Sequence, residues 1–148
     1  MRPPLCPPEQ LEWEKTCPRA LTSDVLWKLD VCRAAFFLLH LSRADIDTLA
    51  TARHHEGLDG QLARAAGSIS ANIGEGYSRA TRAERLRFLG YALGSCRECL
   101  SWYEAARGAL DDPVISARLE LLTRIRALLL GLIRSIRDTA RVSGHFER

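Results

Sequence analysis

The chain has 148 residues, 47% of them hydrophobic and 26% charged, with a net charge of +3. Such a chain can bury one sizeable core and hardly a second, and no run approaches the ~18 uninterrupted apolar residues of a membrane span. Five cysteines argue against a disulfide scaffold, and MRPPLCPPEQLEWEK sets prolines and acids where a signal peptide needs an apolar segment, so a reduced, cytoplasmic protein is expected.

Five of the six prolines fall in residues 1–20, which predicts a flexible Pro-rich arm with at most a short turn around Leu11–Lys15. A helical domain is expected over 21–143, with a tail at 144–148. No period-two alternation marks a strand. Thr22 or Ser23 should cap a first long helix running to about Leu41. Val25, Leu29, Cys32, Phe36 and Leu39 form one apolar stripe of that helix, and Trp27, Val31, Ala34, Leu38 and Leu41 a second beside it. Residues 42–56 are polar and weakly periodic and read as a connection, with room for one helical turn at Ile46–Ala52.

A second helix should start near Gly57, turn Leu58, Leu62, Ala65, Ile69 and Ile73 inward, and stop at Gly74-Glu75-Gly76. Thr81 and Glu84 form a capping-box pattern for a third helix reaching about Ala109. Asp112 and Pro113 open a fourth, with the stripe Ile115, Leu122, Ile125, Leu129, Leu132 and Ile136, fading at Ser143-Gly144. The expected fold is therefore all-α, an antiparallel up-down four-helix bundle.

The third helix carries two apolar seams. Leu86, Leu89, Leu93, Cys96, Leu100 and Tyr103 make one; Phe88, Ala92, Cys99, Trp102 and Ala106 make another about 110° away. Either both face a wide core, or the second lies in a subunit interface, where aromatic residues are favoured. The second reading makes Phe88, Ala92, Cys99 and Trp102, with Trp27 and Leu38 of the first helix, the expected contacts of a homo-oligomer.

The stretch Ser68-Ile69-Ser70-Ala71-Asn72-Ile73-Gly74-Glu75-Gly76-Tyr77-Ser78-Arg79 resembles the signature of the small helical proteins encoded in intervening sequences of bacterial 23S ribosomal RNA genes. Gly57-Leu58, Gln61-Leu62, Arg64-Ala65-Ala66, Glu84, Arg87-Phe88-Leu89, Tyr91-Ala92, Gly94-Ser95 and Glu98 are similar to that family's flanking pattern. The likeness spans roughly 24–140 and is specific over Gly57–Ala106. The resemblance implies a four-helix bundle assembling into a ring-like homopentamer. It also implies distant kinship with the accessory protein of diversity-generating retroelements, which works with a reverse transcriptase and nucleic acid. Ala63 stands where the family shows a basic residue beside Arg64, Gly74 replaces the usual alanine, and the Pro-rich arm is extra. Within the motif, Ser68, Ser70 and Ala71 suit tight packing, while Asn72 and Glu75 can satisfy backbone groups at a sharp helix end.

Arginine is the leading chemical signal. It accounts for 19 of 21 basic residues; residues 61–148 hold fourteen arginines, no lysine and nine acids. Arg79, Arg82, Arg85 and Arg87 cluster at the turn into the third helix. Arg134, Arg137 and Arg141 form a row on the fourth, flanked by Arg124 and Arg126. These are either a solvated basic face or a phosphate-contacting one. No aromatic platform for stacking single-stranded bases stands out beside them. Cys96 and Cys99 have metal-like spacing, but inside apolar seams they read as small hydrophobes; His54 and His55 are the only paired histidines. Arg33 and His40 share a face with a spacing similar to that of HEPN-type ribonucleases. Gly74-Glu75-Gly76 follows a helix and lacks a phosphate-loop lysine.

The expectation is thus a non-enzymatic oligomeric bundle that binds nucleic acid, RNA foremost, through arginines, with no cofactor, metal, membrane or small-molecule substrate. By resemblance it is an accessory to a reverse transcriptase. The alternatives are a protein adaptor that ignores nucleic acid and a ribonuclease using Arg33 and His40.

Overall fold

A computed structural model describes residues 6–143, with side chains described over 6–139. It is all-α: α1 (Pro8–Glu14), α2 (Arg19–Thr22), a 3-10 turn (Val25–Lys28), α3 (Asp30–Ala50), α4 (Leu58–Tyr77), α5 (Arg82–Ala105) and α6 (Asp112–Ser143), with no strand among the described residues. The long helices α3 to α6 pack as a helical bundle in which α3 meets α4, α4 meets α5, α5 meets α6, and α6 returns to α3. No helix among the described residues is long and apolar enough to cross a membrane.

The first long helix is displaced from its expected place. Asp24, not Thr22 or Ser23, acts as a cap, accepting the Leu26 N–H at 2.8 Å at the head of the 3-10 turn. Leu29 is extended, so α3 begins only at Asp30. It then continues nine residues past Leu41, through the stretch expected to be a connection. The burial of Ser42, Asp45 and Leu49 explains this. They extend the core stripe from Leu38 at helical spacing, and a polar residue in such a stripe is tolerated once it is paired. Asp45 is paired: it accepts the Tyr103 hydroxyl at 2.7 Å and the Arg118 Nε at 2.7 Å, joining α3, α5 and α6.

In the place of the expected arm, residues from Pro8 onward form a helix docked on the bundle. Pro8 and Glu9 suit a first turn, where a proline lacks nothing and an acid faces the helix dipole. Gln10 is only 1% exposed, and its Oε1 accepts Arg124 Nη1 at 2.8 Å across to α6. Its amide donates to Glu14, which lies 3.3 Å from Arg33 Nε. Trp13 packs against Trp27, Phe37 and His40 at 5.4–6.2 Å between ring centres.

The second helix runs through its expected stop. Gly74 and Gly76 both lie within α4, and neither has positive φ. Gly76 serves packing instead: a Cβ there would meet Phe88 Cβ at 3.1 Å and the Arg85 carbonyl at 3.3 Å. Gly57, with φ +81, precedes α4 in the left-handed region that glycine adopts freely.

The α5 seams are both largely core. Leu89, Cys96 and Tyr103 of one and Ala92, Cys99 and Ala106 of the other are buried within one chain. The helix has neighbours on two sides, α4 and α6, and so uses a face wider than one stripe.

Candidate nucleic-acid interface

The turn between α4 and α5 gathers four of the expected arginines. Thr81 caps α5: its Oγ1 accepts the Glu84 N–H at 3.3 Å and donates to Glu84 Oε2 at 2.7 Å. That hydroxyl, helped by Arg79 and Arg87, holds the Glu84 carboxyl below the usual range. Arg79 pairs with Glu75 one helical turn back, and its carbonyl accepts Arg85 Nε at 2.8 Å. Arg82, Arg85 and Arg87 are exposed.

Sequence reasoning missed the aromatic side of this cluster. Arg79 lies over the Phe88 ring at 4.7 Å and Arg87 at 5.5 Å, both within cation–π range. Tyr91 meets Phe88 edge to face at 5.6 Å and is 53% exposed. Aromatic rings thus adjoin two of these arginines, which the sequence reading did not bring out. The signal was present as Arg87-Phe88 with Tyr91 one turn on, but Arg79 reaches Phe88 only because α4 and α5 fold back on each other.

The arginines of α6 separate into different roles. Leu29, Ile73, Gly76, Tyr77, Arg85, Leu89, Leu132 and Ile136 line one cavity of about 290 Å³. The later part of α6 thus passes the start of α5, which brings exposed Arg134 and Arg137 to the same end of the bundle as Arg82, Arg85 and Arg87. Arg126 is partly buried farther up α6. Arg124 is corrected: at 7% exposure and bonded to Gln10, it anchors α1 and offers no free guanidinium to phosphate. The side chain of Arg141 lies outside the described residues.

The expected interface set also divides. Leu38, Ala92 and Cys99 are fully buried within one chain and belong to its core, which removes them as subunit contacts. Trp27 is half-covered beside Trp13 and Phe36. Phe88 and Trp102 stay partly exposed, and the Trp102 indole N–H is enclosed without an acceptor.

Other candidates have structural partners. Asn72 donates to the Ser68 carbonyl at 2.9 Å, while Glu75 binds Arg79 rather than backbone. Ser70 is buried as tight packing requires, but Ala71 faces solvent. Cys96 and Cys99 are fully buried, and burial raises their thiols to about 11 and about 12. Arg33 bonds the Trp27 carbonyl, Asp30 and Glu14, whereas His40 stacks near Trp13 and Phe37. His55 lies 2.9 Å from the Arg53 carbonyl and 3.2 Å from that of Arg107.

Among solved structures, the fold is similar to that of a protein of unknown function from the S23 ribosomal protein family of Bacteroides thetaiotaomicron VPI-5482. The two are 22% identical, with a TM-score of 0.66 over 70% of this chain and 97% of that one. No curated protein matches the chain. The sequence pattern of one family covers residues 28–131, from the 3-10 turn into α6. Extending over more than half of the chain and reaching into the last of the four long helices, that match establishes that the protein belongs to the 23S rRNA-intervening sequence protein family.

Proposed function

We propose that this protein is a non-catalytic, cytoplasmic RNA-binding bundle whose contact surface is the arginine-rich end formed by the α4–α5 turn and the later part of α6. The observation that carries this reading is that two arginine groups about fifty residues apart in sequence lie at one end of the bundle, on helices that line one cavity. There Arg79, Arg82, Arg85, Arg87, Arg134 and Arg137 share an end of the bundle with Glu75, Glu84 and Asp138, and with Asp30, which follows Leu29 of the same cavity and is paired with Arg33. Guanidinium groups in such a cluster fork onto phosphates and release counterions, so binding is electrostatic and depends on shape more than on base sequence. The four long helices form an antiparallel up-down bundle in this reading. The bundle assembles into a ring, as family resemblance implies, and repetition of the basic end around the ring raises avidity. In the cell such a ring would present RNA to a partner enzyme, a reverse transcriptase being the one its resemblance suggests.

The test is an anisotropy titration of nuclease-treated protein against a structured RNA at about 50 and 200 mM salt. A surface contacting four phosphates loses about fifty- to a hundred-and-fifty-fold in affinity over that range. Replacing Arg82, Arg87, Arg134 and Arg137 together should weaken binding and flatten the salt slope. Arg85 is left intact because it braces the α4–α5 turn. No binding at the lower salt would overturn the reading in favour of a protein-docking module.

A further inference from the structure

We infer that Tyr91 is a stacking platform for an unpaired base, which makes the RNA taken by this surface single-stranded, or looped, rather than continuous duplex. The inference rests on the RNA-binding reading above and narrows its substrate class.

Three observations lead to it. Tyr91 is 53% exposed in the middle of α5, the largest exposure among the big hydrophobic side chains described. It meets Phe88 at a right angle, 5.6 Å between ring centres, while more than half of the residue stays exposed. Phe88 is itself flanked by Arg79 and Arg87, so the aromatic pair sits within a run of guanidinium groups.

The surroundings of Tyr91 add to this. Gly90 and Gly94 adjoin it on α5, and a Cβ at either would meet nothing within 4 Å. Neither has positive φ. A glycine in mid-helix is less stable than alanine, yet these two serve neither backbone conformation nor packing inside the protomer. Gly94, one helical turn on and about 60° round the helix, leaves the surface next to Tyr91 without a side chain of its own.

Duplex RNA would not use this arrangement, because its bases are already stacked and present only their edges; unstacked bases are what aromatic side chains receive. Stacking is indifferent to base identity, so the platform selects for strand state and not for sequence.

The experiment compares a labelled 12-nucleotide oligouridine strand with a 12-base-pair RNA duplex in anisotropy titrations of the full chain at about 50 mM salt. Tyr91→Ala should lower affinity for the single strand about ten-fold and leave the duplex within two-fold, and Tyr91→Phe should retain single-strand binding. Circular dichroism and native mass accompany each variant. If wild type binds neither RNA, the RNA-binding reading itself fails. Wild type should bind the single strand more tightly than the duplex; if it binds the duplex as tightly or alone, or if Tyr91→Ala weakens neither or both alike, the RNA reading stands and the platform is overturned. A changed native mass in Tyr91→Ala would assign this face to a second copy of the chain, which also overturns it.

Discussion

Tyr103, Asp45 and Arg118 show how much one buried polar contact decides. The phenol is fully enclosed, and its hydroxyl has one acceptor, the Asp45 carboxylate, which Arg118 also holds. Burial and the neighbouring carboxylate push the Tyr103 hydroxyl well above its usual value, so it remains a donor at any working pH. Tyr103→Phe keeps the ring but leaves Asp45 one donor short, so it should cost about 1–3 kcal/mol, read as a lower urea midpoint. A similar accounting applies to the thiols. Cys32 and Cys96 are raised to about 11 and Cys99 to about 12, all by burial, against 9 in an exposed chain. Their contribution to stability is whole below pH 9 and is lost as pH climbs from there towards the native values. Each unit within that window costs about 1.4 kcal/mol per buried thiol. Urea midpoints at pH 8 and 10.5 should therefore differ, and less so in Cys96→Ala than in the wild type. Thiol labelling of the native protein at pH 8 should reach the part-exposed Cys6 and Cys17 first.

Helices in this chain are placed by what they touch more than by their own end signals. Gly74 and Gly76 read as a helix stop, because glycine so often ends helices, yet α4 passes through both. At Gly76 the constraint is the closeness of α5, where an added methyl meets backbone and Phe88 rather than a yielding side-chain tip. Gly76→Ala should destabilise by about 1–3 kcal/mol despite its gain in helix propensity, because the two helices must separate. Gly90→Ala, with open space around it, should instead stabilise by up to about 1 kcal/mol. Thermal unfolding of the pair separates the two roles. Helix α1 makes the same point from the other side. Seven residues cannot hold a helix alone, and Gln10 and Trp13 hold it by reaching Arg124 on α6 and the aromatic cluster of α3.

At the scale of the molecule, one chain closes its own core, since Leu38, Ala92 and Cys99 are covered without a second copy. The surplus of apolar face read from α3 and α5 is thus mostly covered inside the protomer, and the large apolar side chains exposed among the described residues are scattered: Leu11, Val25, Tyr77, Tyr91 and Leu130, with parts of Phe88 and Trp102. Self-assembly then predicts a modest, polar-rimmed contact rather than a second core. Native mass spectrometry should give a fivefold multiple of the 16.5 kDa protomer, and dissociation should precede unfolding as the protein is diluted. A monomer at micromolar concentration would remove the ring.

Periodicity and capping made the all-α class, the α4 and α6 core stripes and the Thr81 cap legible along the chain, because these depend on neighbours three and four residues apart. The same local reading placed α3 too early along the chain, gave α1 at most one turn and put Arg124 on the surface. Each of those errors turns on a partner far along the chain: Tyr103 and Arg118 for Asp45, Arg124 for Gln10. A lone polar residue looks like surface until its partner is known, since burial is affordable only when the hydrogen bonds are met. For the same reason the arginine cluster was visible in one dimension, while its aromatic company was not. Arg79 and Phe88 lie nine residues apart and meet only after the turn between α4 and α5 has brought them together.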